Sequence, residues 1–388
     1  AVSALADSAA AERLAALPEV LRLAPVAALE PPPAPAPPLD PTRLPAAAAP
    51  GRADTLPDGA YGLALSPLRQ LAVPGAHALG YTGRGIRIAI LDTGFEPGHE
   101  ALATLRVVAA RDFVQGDTVV SDEFGDLPGT ENHGTGVWSL LAGYRPGVLL
   151  GPAFDAEFVL AKVALPERRA DEDRWVAALE WAVDSLRARI VVASFGFRAF
   201  GDGFAYDYPD LDGNTAASTR AADHAAQHGA LVVASVGNLG PGAGSLVPPA
   251  DGDTVLAVGA ADSIGRPLPF SGRGPTADPA RRQKPEVVAR GERLTVASSS
   301  SPSAYQSMNG ADAATPLVAG VAALVLQAWP DATPADLRRA VMEAGHTAHA
   351  PNGAAGYGVP NATHAIVFPD QALHFEYSTT RGVQGIAA

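Results

Sequence analysis

The feature that most narrows the fold is an alternation of short, almost wholly apolar runs with segments of helical periodicity. IRIAILD (86–92), AEFVLAKV (156–163), IVVAS (190–194), LVVASVGN (231–238) and TVLAVGA (254–260) are apolar nearly throughout, not at every second residue. Strands of that kind are covered on both faces, as in a parallel sheet. DEDRWVAALEWAVDSLRA (171–188) has apolar residues at helical spacing behind an acidic first turn. NTAASTRAADHAAQHG (214–229) reads as a helix capped by Asn214 and ended by Gly229. ATPLVAGVAALVLQAW (314–329) reads as a buried helix, and DLRRAVMEAG (336–345) as another that closes at Gly345. The pattern predicts an α/β fold with a mostly parallel central sheet and helices on both faces. Apolar residues make up 47% of the 388, enough for a large core. No period of about 20–50 residues repeats, which excludes a solenoid.

Four stretches divide the chain. Residues 8–17 read as a short helix ended by Pro18, and LRLAPVAAL (21–29) as a strand, so 1–30 form a small separate piece. Residues 31–60 are dominated by Pro and Ala and read as a semi-rigid linker. The main domain runs over 61–367. A tail, 368–388, contains HFEYS, which reads as a strand.

Composition excludes several chemistries. There are no cysteines, so disulfides, zinc–thiolate sites and a thiol nucleophile are ruled out. The net charge of -13 disfavours non-specific binding to nucleic acid or an anionic membrane. The apolar runs read as short strands or as Ala-rich segments broken by charges, so no transmembrane helix is expected. The first residues show neither a basic region nor an apolar one of the kind that makes a signal peptide.

In a parallel sheet, functional residues gather where strands end and loops begin. Asp92 closes a strand in LDTG, and His133 lies in NHGTG, a turn leading into the apolar VWSLLAG. Asn238 closes another strand in SVGN, and NGADAATPLVAG (309–320) runs through a tight turn into the buried helix. An Asp that orients a His, and a His that acts as base, are two parts of a nucleophilic triad. An Asn amide nearby can donate to a developing oxyanion, a contribution of roughly 2.7–4 kcal/mol. The third part of the triad should be a nucleophile at the start of a helix.

Taken together and in this order, these segments resemble the subtilase family of serine proteases. ILDTG resembles the family's Asp motif, with Asp92 in that role, and HGTGV its His motif, with His133 in that role. Ser194, Phe195 and Gly196 of SFGF, and Ser235, Val236 and Gly237 of SVGN, resemble the two segments lining the substrate cleft and specificity pocket. Asn238 falls at the family's oxyanion position. YTGRG (81–85), FSGRGPTAD (270–278) and GYGVPNA (356–362) also fit, so the resemblance covers roughly 61–367. It implies a subtilisin-like three-layer fold and serine endopeptidase ancestry. The N-terminal piece resembles the end of a subtilase propeptide that has stayed in the chain.

One segment departs. Aligning Gly310, Ala314, Pro316, Ala319 and Gly320 on the family's SGTSxAxPxVAG segment puts Ala311 at its Thr and Asp312 at its nucleophilic Ser. Ser307 lies five residues upstream, before the turn. A carboxylate there has no proton to give, and its charge opposes that of the transition state. Carboxylates on both ring nitrogens should raise the His133 pKa and fix it as a cation. Val192 also departs, standing where the family often has Asn.

The expected function is therefore that of a catalytically inactive pseudoprotease. It would bind a peptide or protein in the cleft by strand addition, or serve as a component of a larger assembly. The alternative is an active hydrolase using the Asp92/His133 pair with a different nucleophile. The family implies a secreted, cell-surface or periplasmic location. No metal is expected at Asp92, His133 and Asp312, because in the family geometry the two carboxylates flank the imidazole. The acidic loop DYPDLDGN (207–214) reads as a solvated loop and not as a calcium site. The family leaves a structural calcium open at an unassigned place, and no other cofactor is implied. Glu131 reads as a loop charge, and Trp138, Trp175 and Trp181 as packing on helices. Asn361-Ala362-Thr363 fits a glycosylation sequon, weak evidence in so short a pattern.

Overall fold

The structure, a computed structural model, describes residues 13–16, 56–164, 172–200, 203–367, 375–378 and 382–385. Its frame is a seven-stranded sheet. The strands are β1 (Arg87–Asp92), β2 (Arg106–Asp112), β3 (Glu157–Lys162), β4 (Ile190–Ala193), β5 (Leu231–Ser235), β6 (Leu256–Ala261) and β7 (Val287–Arg290). Their order is β2-β3-β1-β4-β5-β6-β7, and every neighbouring pair is parallel. A smaller antiparallel pair joins β8 (Leu294–Ala297) to β9 (Tyr305–Met308).

The apolar runs are continuous because both faces of the sheet are covered. Ile88 and Ile90 of β1, with Phe158, Leu160, Ile190, Val192 and Val233, pack into one core. That core also takes in α1 (Asn132–Ala142). Ala89 and Leu91, with Val159, Val191 and Val232, face a second core. The second core contains α2 (Glu172–Glu180), which continues as a π turn over Trp181–Ser185, and α3 (Ala217–Gln227). α4 (Ala311–Ala328) completes the first core, and α5 (Pro334–Glu343) closes against it. The three expected layers are present, each strand sending alternate residues to opposite faces.

Several expectations need correction. α1 begins at Asn132, so His133 sits in a helical first turn and not in the turn before it. α4 begins at Ala311, which puts Asp312 inside its first turn. Asn214 does not cap α3: the N-cap is Ala216, which has no polar side chain. The Ser218 amide instead donates to Glu172 Oε1 of α2 at 2.7 Å, while Glu172 Oε2 accepts the Tyr206 hydroxyl at 2.7 Å. A buried carboxylate on the neighbouring helix thus caps α3. Gly229, at φ 88°, follows the end of α3 as read. No transmembrane helix was expected, yet α4 is long and apolar enough to cross a membrane by length and composition. Within the protein 83% of it is buried, and it serves as the core helix.

Residues 13–15 are helical, but the rest of the predicted 8–17 helix, the 21–29 strand and nearly all of the linker lie outside the described residues. Phe375–Ser378, within HFEYS, is a strand, paired antiparallel with Gly382–Gly385.

Candidate active site

At the carboxyl edge of the sheet, Asp112, Lys162 and Asp92 stand side by side on β2, β3 and β1. Asp92 is fully buried. Its Oδ1 accepts the Thr93 amide at 2.8 Å and faces His133 Nδ1 at 2.7 Å. The Thr93 hydroxyl donates to the Thr130 carbonyl at 2.6 Å, tying the end of β1 to the start of α1. Gly134 makes this approach sterically possible. A Cβ there would lie 2.2 Å from the Gly94 oxygen and 2.9 Å from the Asp92 Cβ.

Asp312 reaches the same imidazole from the other side. Its Oδ2 lies 3.3 Å from His133 Nε2, and its Oδ1 accepts the Ala313 amide at 2.9 Å. A carboxylate in the first turn of a helix sits favourably against the helix dipole. The turn depends on Gly310, whose φ of 138° suits glycine and where a Cβ would collide with Asp312 Oδ1. Asn238 follows β5, and its Oδ1 accepts the Ala311 amide at 2.9 Å. That bond fixes the side-chain amide beside the first turn of α4.

The sequence-predicted quartet of Asp92, His133, Asn238 and Asp312 therefore converges. Among the described residues no hydroxyl bonds either ring nitrogen of His133; each faces a carboxylate. Burial alone would lower the His133 pKa. The charge of Asp92 and the hydrogen bonds that the ring donates to both carboxylates outweigh it, and the group is held well above its ordinary value. Side-chain exposure of 22% for His133 and 20% for Asp312 leaves the pair partly open to solvent. Because the two carboxylates take opposite nitrogens, the three side chains do not converge on one ion.

The cleft segments leave the sheet next to this group. Pairing between β4 and β5 ends at Ala193↔Ala234, and Ser194–Phe197 and Ser235–Asn238 continue beyond it. Among the described residues the peptide groups of Phe195 and Gly196 bond to no other backbone group. Ser194 is buried, with its hydroxyl unpartnered in the described protein, and the Ser235 hydroxyl accepts the Gly237 amide at 3.1 Å. Val236 is buried against β6, its amide donating to the Val258 carbonyl.

One side reading changes. Glu131 is not a solvated loop charge: it is buried, and burial together with the nearby Asp122 and Glu96 charges pushes it up to about 7. Nothing in the sequence marked it beyond its place beside His133. In the 207–214 loop the carboxylates cap local turns. Asp207 and Asp210 form a reciprocal box, and Asp212 accepts the amides of Asn214 and Thr215. Asp112, Asp117 and Glu123 bring carboxylate oxygens together. Lys162 already stands there, 2.9 Å from Asp112 and 3.9 Å from Glu123. Trp138 and Trp175 are fully buried on helices, and the partly buried Trp181 opens the π turn.

Comparison with known proteins points one way. A model of the subtilase family matches residues 83–358. M-protease of Shouchella clausii (strain KSM-K16) is 31% identical over 295 residues, 76% of this chain and 65% of that protein. Serine protease AprX of Bacillus subtilis (strain 168) is 29% identical over 282 residues, 66% of this chain and 60% of that protein. The chain thus spans under two thirds of the length of these two relatives. Subtilisin Savinase of Lederbergia lenta is 31% identical over 264 residues, 68% of this chain and 84% of that protein. Among solved structures, a protease from Pseudoalteromonas arctica PAMC 21717 superposes with a TM-score of 0.61 at 23% identity, covering 77% of this chain and 94% of its own. The MycP3 protease from the type VII (ESX-3) secretion system superposes at 0.62 with 24% identity, covering 80% and 90%. At these identities the superpositions speak for the fold.

Proposed function

The chain belongs to the subtilase family, and we propose that it is a member without peptidase activity: a pseudoprotease with Asp312 in the place of the nucleophilic serine. The observation that carries this reading is the pair of carboxylates on His133, Asp92 at 2.7 Å and Asp312 at 3.3 Å. In a serine peptidase the imidazole takes a proton from a hydroxyl, which then attacks the carbonyl. Here Nε2 faces an oxygen that has no proton to give once ionised. The imidazole is held as a cation and has no lone pair free to act as base. Attack by the carboxylate would form an anhydride, and its charge would stand where the oxyanion must be stabilised.

What remains is a binding cleft. The backbone at Phe195–Gly196, bonded to no other backbone group among the described residues, supports recognition of an extended peptide or protein segment by strand addition, which needs only main-chain hydrogen bonds. An extracytoplasmic location belongs to the same proposal and rests on the family.

Casein hydrolysis tests the catalytic half. The parent should give none above buffer, while Asp312→Ser, or Asp312→Ser combined with Ala311→Thr, should recover measurable cleavage. Hydrolysis by the parent would overturn the reading and direct attention to a different nucleophile.

A further inference from the structure

We propose that His224 and His228, on successive turns of α3, form a surface site for a transition-metal dication of the zinc type, with Asp184 as the carboxylate that orients His228. The site stands apart from the cleft and does not depend on the peptide-binding reading.

Its position follows from the topology. The π turn Trp181–Ser185 leads into β4, which starts at Ile190, and α3 leads into β5, which starts at Leu231. Both helical ends therefore lie at the amino edge of the sheet. Asp92 and Asn238 lie at the carboxyl edge, where β1 and β5 end.

α3 faces the second core through Ala222 and Ala225, both buried. His224 and His228 are four residues apart, so they stand on one face of the helix, one turn after the other. Both are exposed, so an ion reaches them from solvent. Their ring centroids lie 4.3 Å apart, with the planes tilted by 46°. Zinc binds imidazole nitrogen at about 2.0–2.1 Å, which sets two nitrogens on one tetrahedral ion about 3.3 Å apart. Rings this close reach that spacing by side-chain rotation, without any change in the backbone.

Asp184, within the π turn, supplies the second observation. Its Oδ1 lies 2.5 Å from His228 Nδ1. With Nδ1 donating its proton to the carboxylate, Nε2 keeps the lone pair that a metal takes. A carboxylate placed in this way fixes the tautomer and ring orientation of a ligating histidine and raises its basicity. His224 lies in the last turn of α3 and His228 is its C-cap, so the partial negative charge of the helix end adds to that of Asp184 in favouring a cation. Imidazole donors suit Zn2+, Cu2+ and Ni2+, whereas Ca2+ and Mg2+ take oxygen ligands. Water completes the coordination on the solvent side.

Calorimetric titration of the untagged full chain with ZnCl2 tests this. The parent should bind Zn2+ saturably, and His224→Ala and His228→Ala should each weaken that binding about tenfold or more, since either change gives up chelation by two ligands. Asp184→Asn should weaken it about tenfold through the orientation of His228. His349→Ala, which removes an exposed histidine elsewhere, should leave it unchanged. Thermal melts identify a variant that has not folded. Imidazole NMR of the parent gives a readout that needs no variant: Zn2+ should shift the ring signals of His224 and His228 together, and Ca2+ should shift neither. No saturable Zn2+ binding, undiminished affinity in folded His224→Ala or His228→Ala, or Zn2+ shifts confined to other histidines overturns the site. Undiminished affinity in folded Asp184→Asn overturns the role of Asp184.

Discussion

At the scale of single residues, the proposal turns on Asp312, whose carboxylate faces His133 Nε2. Asp312 changes the role of its neighbour as well as its own. His133 gains a second anionic partner and is held well above the ordinary histidine value. A histidine whose folded pKa is raised contributes stability that is fully present below its unfolded pKa of about 6.5 and is lost as pH rises through the folded value. The contribution of this pair to stability should therefore fade on the alkaline side. Two-dimensional imidazole NMR across pH should show His133 charged past the ordinary histidine range in the parent and titrating lower in Asp312→Ser. The same midpoint in both proteins would rule out the role given to Asp312. The quartet was legible because each member sits in a short motif at the end of a strand or the start of a helix. Glu131 was not, since its burial comes from packing against Gly94 and the Asp122 turn, which no local pattern records.

At the scale of elements, long apolar runs were read well and local caps were not. β1, β3, β4, β5 and β6 lie where near-continuous apolar runs predicted them. β2 was missed because it is an edge strand: Arg106, Val107 and Val108 are exposed, and charged residues interrupt its pattern. α1 was read as a turn at its start because NHGTG places two glycines in five residues. The cap of α3 shows the same limit. Asn214 has the right chemistry for a local cap, yet Glu172 supplies the acceptor from forty-six residues away in sequence. Glu172→Ala should cost about 1–3 kcal/mol, because it uncaps α3 and leaves the Tyr206 hydroxyl without its partner. Asn214→Ala should stay within about 0.5 kcal/mol. Urea denaturation of the two variants checks the contrast, and equal losses would return the cap to Asn214.

At the scale of the whole molecule, parallel strands sandwiched between two helical layers bring four distant segments to one edge of the sheet. Asp92 comes from β1, His133 from α1, Asn238 from the end of β5 and Asp312 from α4. This convergence needs only the fold. The framework also carries Ser194–Phe197 and Ser235–Asn238 to the same edge. The most direct measurement is intact-mass analysis after incubation with a fluorophosphonate, a reagent that reacts with an activated serine. The account predicts no adduct on the parent, and an adduct at position 312 in Asp312→Ser. An adduct on the parent, at any residue of the cleft, would contradict it.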